Sequence, residues 1–357
     1  MKILYIYDKM PGIYQRYLIL LLEGIKKKLT VHTLAYNKDS QADYQVVTYG
    51  FRDQLQRIAY RFGMTPFKSL DLKIMNDYDI IHLQHSFLFT KVIPLFKSNS
   101  KIKLVITLRG GDTYVKPLID NRWNMFYENY SKYIKAFVTM SEHQKKYLIR
   151  RGVSAEKIFV IPISFGSHSE FMPKIPNKKI LKLVSAFRLT WEKNIEGTFR
   201  FAKLLKDKNI LFHYDIYGDG PELGQLYYFM ERFELKEYVT VKGKIENSLL
   251  KEKLTEYDFF IQLSYSEALP TSVLEAQSVG LPCIVSNSGG LPEAVVSGKT
   301  AIVYDYWELD KMVADCVNLW KDENLYFQFS KQAIAHVNEY FTTEKEMEKL
   351  ERMYRSL

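Results

Sequence analysis

The sequence predicts an α/β protein built from two doubly wound parallel-sheet domains. Short apolar runs typical of buried strands alternate with longer amphipathic runs typical of helices, beginning with residues 3–7 and 15–28. Two prolines and a run of charged residues interrupt this alternation at residues 171–179, and it resumes at residue 181. The length of 357 residues suits two domains at roughly 150 residues each.

These observations predict three parts. We expect a first domain over residues 1–174, a second over residues 175–340, and a C-terminal helix over residues 341–357 that packs back on the first domain. Both domains are expected to be Rossmann-like, with a cleft between them. Ligands of such sheets bind beyond the carboxyl ends of the strands, so the loops that follow strands are the candidates for function.

The composition excludes several classes of protein. Hydrophobic residues make up 47% of the chain and charged residues 25%, as in globular domains rather than disordered or disulfide-rich chains. No apolar run approaches the roughly 20 residues that a membrane-spanning helix needs, and the N-terminus lacks the pattern of a signal peptide. We therefore expect a cytoplasmic protein.

Positive charge is concentrated in the first half of the chain. Residues 1–174 contain 27 basic and 14 acidic residues, a net charge of +13, whereas residues 175–357 contain 23 and 27, a net charge of −4. Such asymmetry favours a polyanionic or membrane-surface partner for the first half. Nucleic acid is the competing partner, but the chain has no recognisable nucleic-acid-binding motif.

The most informative stretch has two glutamates eight positions apart, Glu267 and Glu275. Between them, Pro270-Thr271-Ser272 is a signal for the start of a helix. The free N–H groups and the positive dipole end of a helix N-terminus favour phosphate, and flanking carboxylates can accept hydrogen bonds from sugar hydroxyls. The alternative, in which both glutamates are merely solvated, is equally compatible with the spacing alone.

Three further turns follow predicted strands. Arg188 and Lys193 place two cations at a strand-to-helix turn, an arrangement that suits a diphosphate, although a surface pair without function is the simpler explanation for them alone. Gly218 and Gly220 allow the backbone to approach a ligand closely. The turn at residues 242–244 could offer backbone groups to a planar base.

The order of these motifs, completed by Gly289-Gly290-Leu291-Pro292-Glu293, resembles the retaining glycosyltransferases of family four. Those enzymes have the GT-B architecture of two Rossmann-like domains. The resemblance covers nearly the whole chain and is densest over residues 181–305. Each motif is weak alone, but five in the family's order are hard to obtain by chance.

The resemblance implies roles for individual residues. Arg188 and Lys193 would hold the donor diphosphate and stabilise the departing nucleotide, Glu275 would accept hydrogen bonds from the ribose, and Glu267 would contact the donor sugar. The remaining donor-binding positions would line the sugar and phosphates or lie near the base: Ala268, Leu269, Pro270, Thr271 and Ser272 in the first group, and Gly243, Lys244 and Ile245 in the second.

The first domain departs from the family pattern. Only Gly12 matches the glycine pair that often follows the first strand. Arg109 stands where a histidine usually contacts the donor sugar, so it could bind an anionic sugar or an acceptor phosphate, or pair with Asp112. His85 follows a strand and could reach the acceptor, whereas His82 in that strand is expected to be structural.

The expected reaction transfers a sugar from a nucleotide-diphosphate sugar to a glycan or lipid-diphosphate-linked acceptor, with the anomeric configuration retained, as in bacterial-type surface polysaccharide synthesis. No metal is expected, because the two cations can stabilise the leaving group, and no cofactor is implied. The alternatives are a non-catalytic nucleotide-sugar-binding GT-B protein, a nucleic-acid-binding protein and, as the weakest, a hydrolysing nucleotide-sugar epimerase, which shares the architecture.

A possible membrane contact is indicated by residues 51–75, where basic and aromatic residues alternate. Such a helix suits an anionic membrane surface, and would place the protein at the inner face of the plasma membrane. A solvated helix with a stripe that faces the core explains the same pattern equally well.

Overall fold

The computed structural model describes residues 1–12, 15–36, 41–97 and 101–357, with the backbone alone at Lys97. The chain divides into two compact units. The first contains Met1–Gly12, Leu18–Ile161 and Met347–Leu357, and the second contains Pro162–Glu346 with the described part of residues 13–17. Residues 174 and 175, where the sequence places the domain boundary, both lie within the second unit.

The first unit contains a parallel sheet in the order β3-β2-β1-β4-β5-β6-β7. Its strands are β1 (Lys2–Tyr7), β2 (Thr30–Ala35), β3 (Tyr44–Gln45), β4 (Ile80–Leu83), β5 (Lys103–Thr107), β6 (Ala136–Thr139) and β7 (Ile158–Val160). The helices that lie mainly in this unit are α1 (Arg16–Lys28), α2 (Phe51–Arg61), α3 (Leu70–Met75), α4 (Phe89–Lys97), α5 (Gly111–Tyr114), α6 (Lys116–Ile119), α7 (Asn121–Tyr130), α8 (Glu142–Arg150) and α15 (Thr343–Ser356).

The second unit contains a parallel sheet in the order β10-β9-β8-β11-β12-β13. Its strands are β8 (Leu181–Ala186), β9 (Phe212–Tyr217), β10 (Val239–Gly243), β11 (Phe259–Gln262), β12 (Cys283–Ser286) and β13 (Ala301–Tyr304). Its helices are α9 (Ile195–Asp207), α10 (Leu223–Arg232), α11 (Asn247–Leu254), α12 (Thr271–Ser278), α13 (Leu309–Lys321) and α14 (Glu323–Tyr340).

The two sheets share one topology. In each, the first three strands are added in one direction and the fourth is added on the other side of the first, which is the doubly wound arrangement. The central strands are buried along their whole length, as β11 and β12 show, because helices cover both faces of such a sheet. The predicted α/β class with two doubly wound parallel sheets is confirmed.

This topology fixes where ligands can bind. The strand order reverses between β1 and β4 in the first sheet and between β8 and β11 in the second. At such a point the loops after the two central strands diverge to opposite faces and leave a crevice. In the second unit the loops concerned are residues 187–194 and 263–270, which contain Arg188, Lys193, Glu267 and three of the other predicted donor residues.

The C-terminal helix is joined to the first sheet by a buried polar chain. The Tyr354 hydroxyl of α15 lies 2.8 Å from the Tyr5 hydroxyl on β1 and 2.5 Å from Nδ1 of His82 on β4. Nε2 of His82 lies 2.7 Å from the Thr107 hydroxyl on β5. Burial, reinforced by the nearby Arg109 guanidinium, lowers the pKa of His82 to about 3, so the ring is neutral.

Tyr354→Phe should therefore destabilise the protein. The change leaves Nδ1 of buried His82 without its hydroxyl partner, which costs about 1–3 kcal/mol. Urea unfolding measures the loss, and Tyr227→Phe, which removes an exposed hydroxyl, is the matched control. Equal stability of the Tyr354→Phe variant and the control would show that this polar chain contributes nothing.

Candidate functional site

Two loops at the switch point of the second sheet are tied to each other through their backbones. The Tyr265 N–H donates to the Glu192 carbonyl at 2.8 Å, and Nδ2 of Asn194 donates to the Leu263 carbonyl at 2.9 Å. Asn194 has a left-handed backbone (φ 53°), and its Oδ1 caps α9 by accepting from the Gly197 N–H. Asn194 thus fixes the position of Lys193, its neighbour in the chain.

Lys193 and Glu267 form an ion pair at the meeting point of these loops. Nζ of Lys193 donates to Oε1 of Glu267, and both side chains are largely buried, at 15% and 11% exposure. The same oxygen accepts from Nε2 of Gln262 at 2.7 Å and from Oγ of Ser264 at 2.8 Å. Within the described part of the chain all three bonds end on Oε1, so Oε2 is left open to a ligand.

Arg188 is not brought together with Lys193 in this structure. Its guanidinium is 72% exposed and lies 3.4 Å from Oε1 of Glu192 on its own turn. An exposed pair of this length is weak, so the side chain is free to turn toward an anion at little cost. The predicted diphosphate pair is thus one fixed cation and one mobile cation on the same loop.

Glu275 lies in α12 and is almost completely buried. Burial raises the pKa of its carboxyl to about 7, although a hydrogen bond from Nδ2 of Asn247 and the charge of Lys251 both act in the opposite direction. Among the described residues, no side-chain hydrogen bond caps the N-terminus of α12, which begins at Thr271. Its first N–H groups are therefore available to an anion, and the Ser272 hydroxyl donates to Oε1 of Gln262 at 3.0 Å. Ala268, Leu269 and Pro270, which lead into this helix, are buried.

The glycines of the turn after β9 bring two backbone segments together. A Cβ at Gly218 would lie 2.0 Å from the Phe187 carbonyl oxygen, and one at Gly220 would lie 2.2 Å from the Leu189 carbonyl oxygen. Their small size thus lets this turn pack against the loop that contains Arg188.

The last predicted donor residues follow β10. Gly243 has a left-handed backbone and open space around it. Nζ of Lys244 pairs with Oδ2 of Asp219 at 3.0 Å on the surface, and Ile245 is half-buried. A planar group could therefore approach this turn.

Sequence reasoning did not assign a role to Gly289, although it noted the glycine pair. The Gly290 N–H donates to the Glu267 carbonyl at 2.7 Å, and a Cβ at Gly289 would lie 2.3 Å from the same oxygen. The left-handed backbone of Gly289 (φ 60°) also favours glycine. The turn at Gly289 and Gly290 therefore packs against the backbone of Glu267 and helps to fix its position. Gln262 donates to Glu267 and Asn247 donates to Glu275, but neither residue belongs to a motif that the sequence alone reveals.

In the first unit, Asp112 shapes the loop after β5. Its buried carboxylate accepts from the N–H groups of Arg109 at 2.9 Å, Gly110 at 3.0 Å and Ser86 at 3.3 Å. Arg109 therefore contacts Asp112 through its backbone N–H, and its guanidinium contacts a different residue. Nη2 of Arg109 donates to Oε1 of Gln84 at 3.3 Å, while the buried Nη1 has no hydrogen-bond partner among the residues that the structure describes.

His85 and Gly12 lie after the two central strands of the first sheet. Nδ1 of His85 accepts from the Phe87 N–H at 3.3 Å and lies 3.6 Å from the Asp112 carboxylate. Burial and the nearby Arg109 lower the pKa of His85 despite that carboxylate, so the imidazole is neutral. Gly12 is exposed, with open space where a Cβ would be.

The described residues contain no group of three or more His, Cys, Asp or Glu side chains arranged to hold a metal ion. Within the same ranges, no helix is both long and apolar enough to cross a membrane.

Glu275→Gln should stabilise the protein at alkaline pH. Between pH 4.5 and 7 the Glu275 carboxyl is protonated in the folded chain and ionised in the unfolded chain. The free energy of unfolding therefore falls as pH rises through this range, and it stays low above pH 7. The amide escapes this loss, with an expected gain of about 3 kcal/mol at pH 8 and little gain at pH 4.5. Thermal melts at both pH values, with the exposed Glu237→Gln as control, measure the difference. A gain that is the same at both pH values would contradict the raised pKa.

Comparison with known proteins places this arrangement in a family. Residues 168–336 match the family model of glycosyl transferases group 1, and residues 15–163 match that of glycosyltransferase family 4. The chain is 29% identical over 181 residues to N-acetyl-alpha-D-glucosaminyl L-malate synthase of Bacillus anthracis, covering 50% of this chain and 45% of that protein. It is 29% identical over 154 residues to WcaL, a putative colanic acid biosynthesis glycosyltransferase of Salmonella typhimurium, covering 42% and 37%. The chain thus matches less than half the length of these curated relatives.

The fold is shared over the full length of a solved structure. HepE of Anabaena, solved in complex with UDP-glucose, superposes with a TM-score of 0.79 at 16% identity and covers 100% of both chains. This likeness confirms the predicted architecture, and the two family models together match most of the chain. The chain therefore belongs to the glycosyltransferases of the family 4 type, which have the GT-B fold.

Proposed function

We propose that this protein is a retaining glycosyltransferase that moves a sugar from a nucleotide-diphosphate sugar to a hydroxyl of a glycan acceptor. The observation that supports this most strongly is the Lys193–Glu267 ion pair beside the uncapped N-terminus of α12. That arrangement supplies a cation, a carboxylate oxygen and free N–H groups within one loop cluster. A diphosphate joined to a sugar requires this combination.

The donor is bound by the second unit. The phosphates lie at the N–H groups of Thr271 and Ser272, where the helix dipole favours negative charge, and Lys193 neutralises part of that charge. Glu275, one turn into the same helix, accepts hydrogen bonds from the ribose hydroxyls. Gly243 leaves space for the base. The complexes of HepE with UDP-glucose and with UDP support a nucleotide-sugar donor by analogy.

The chemistry depends on the leaving group. The bond between the anomeric carbon and the diphosphate oxygen breaks while the acceptor oxygen forms a new bond to that carbon on the same face. The acceptor proton passes to the departing phosphate oxygen. Lys193 stabilises the negative charge that develops there, and Arg188 adds a second positive charge when it turns toward the phosphate. The mechanism requires neither a metal ion nor an enzymic nucleophile.

The acceptor is bound by the first unit. We propose a glycan carried on a lipid diphosphate, used in bacterial-type surface polysaccharide synthesis at the cytoplasmic face of the membrane. The net positive charge of residues 1–174 supports an anionic acceptor, and the name of WcaL assigns that relative to colanic acid biosynthesis. Arg109 and His85, which follow adjacent strands, and Gly12 are the residues placed to contact the sugar or the acceptor.

Lys193→Ala should abolish most of the activity. The change removes the fixed positive charge at the leaving group, and we expect turnover to fall by roughly 10²–10³-fold. Thermal-shift screening of nucleotide sugars first identifies the donor, and release of nucleoside diphosphate then measures the rate. Lys208→Ala, which removes an exposed lysine in the same unit, is the control. Turnover within a few-fold of wild type in the Lys193→Ala variant would refute the assigned role.

The product should have the anomeric configuration of the donor. Front-face attack leaves the new bond on the side that the diphosphate left. The coupling constant of the anomeric proton at the new bond, measured by NMR on the glycoside product, reports this directly, because a glycosidic bond does not change its configuration in solution. An inverted product would disprove the retaining mechanism while leaving sugar transfer itself intact.

A further inference from the structure

Helix α2 has its apolar side chains on the outside. Phe51, Leu55, Ile58 and Phe62 are spaced at intervals of four, three and four residues and therefore share one face of the helix. They are 77%, 50%, 48% and 78% exposed, and the residues that α2 buries are Asp53 and Gln56. We call the four exposed side chains the α2 face. An ordinary surface helix has the opposite arrangement.

Polar bonds hold α2 in this orientation. The Asp53 carboxylate accepts from the Tyr49 N–H at 2.9 Å, from the Leu70 N–H at 3.0 Å and from Nε of Arg57 at 2.8 Å. Nε2 of Gln56 donates to the Phe67 carbonyl at 2.8 Å. The Arg57 bond lies within α2, but rotation of the helix to hide its apolar face would break the bonds to Leu70 and Phe67, which lie outside it. The exposed stripe is therefore a fixed feature of the fold.

The charges around the α2 face have one sign. Residues 51–75 contain two acidic side chains, Asp53 and Asp71, and both are buried. The exposed charged side chains of this segment are all basic: Arg52, Arg61, Lys68 and Lys73. An apolar stripe flanked only by positive charge is complementary to a bilayer with anionic headgroups, which accepts apolar groups beneath a negative surface.

A cavity of about 800 Å³ adjoins this helix. Tyr60 of α2 lines it together with Phe67 and Leu72. Lys68 and Lys101 add two ammonium groups to its wall, and Asp79, which accepts from the Lys2 N–H at 2.7 Å, adds one carboxylate. The cavity lies at the amino ends of β4 and β5, the opposite edge of the sheet from His85 and Arg109. It is therefore separate from the candidate acceptor residues, and its apolar wall with two cations suits the head and upper chain of an anionic lipid.

We propose that the α2 face inserts into the interfacial region of an anionic lipid bilayer, with a lipid phosphate held at Lys68 and Lys101. The inference deepens the proposed function, on which it rests for a lipid-linked acceptor. It defines the surface by which the first unit meets the membrane that carries such an acceptor.

The test compares sedimentation with two kinds of vesicle, phosphatidylcholine alone and the same lipid with a third replaced by phosphatidylglycerol. Wild-type chain should bind only the anionic vesicles at low salt. Phe51→Ser/Phe62→Ser should weaken that binding by about tenfold or more, through loss of apolar insertion. Arg52→Gln/Arg61→Gln should weaken it by at least as much. Tyr227→Ser/Tyr228→Ser removes two exposed aromatic side chains of α10 in the second unit and should change nothing.

Three results would overturn the proposal: no binding to either vesicle, equal binding to both, or wild-type binding by both α2 variants. Self-association through the α2 face without vesicle binding would count in the same way. Thermal shift with the nucleotide sugar shows that each variant is folded and still binds donor. Comparing the vesicle result with the donor result then separates the membrane surface from the proposed function. A chain that binds donor but no vesicle disproves only the membrane surface, whereas one that binds vesicles but turns over no donor disproves only the proposed function.

Discussion

The ion pair between Lys193 and Glu267 is the interaction on which the candidate donor site depends. Either charge alone would be costly to bury at 11–15% exposure, and the pair, with Gln262 and Ser264 as further donors, makes both tolerable. Because the two residues belong to different loops, the pair also fixes the loops relative to each other. For the proposed reaction this means that the cation is in place before the diphosphate binds, so little reorganisation would remain for the chemical step.

The two units use one strand order for different purposes. At the switch point of the second sheet, charged side chains remain available to a ligand. In the first sheet, the Asp112 carboxylate, which follows β5, accepts from three backbone N–H groups, and the His82 ring is occupied by the bonds that join α15 to the sheet. What the first unit retains is positive charge, at Arg109 and along α2. This division is the one that the proposed function requires, with a rigid donor site in the second unit and a surface for an anionic acceptor in the first.

The alternation of apolar and amphipathic runs was sufficient to predict both sheets, and the start signal Pro270-Thr271-Ser272 was sufficient to find the helix that contains Glu275. The contact between Lys193 and Glu267 could not be predicted, because residues 74 apart in sequence carry no local sign of their pairing. The orientation of α2 could not be predicted from the sequence either. Periodicity reveals a stripe, which in most helices faces the core. Only the bonding partners of Asp53 and Gln56 decide that it faces outward.

The crowding of Oε1 on Glu267 has a consequence for the choice of sugar. A carboxylate with two open oxygens accepts hydroxyls from many directions, whereas one with a single open oxygen accepts well from one position on the ring. Sugars that differ by one axial or equatorial hydroxyl would then bind with different strength, since only one epimer directs its hydroxyl at Oε2. If Glu267 contacts the donor sugar as proposed, Gln262 and Ser264 contribute to selectivity between such sugars by occupying the other oxygen.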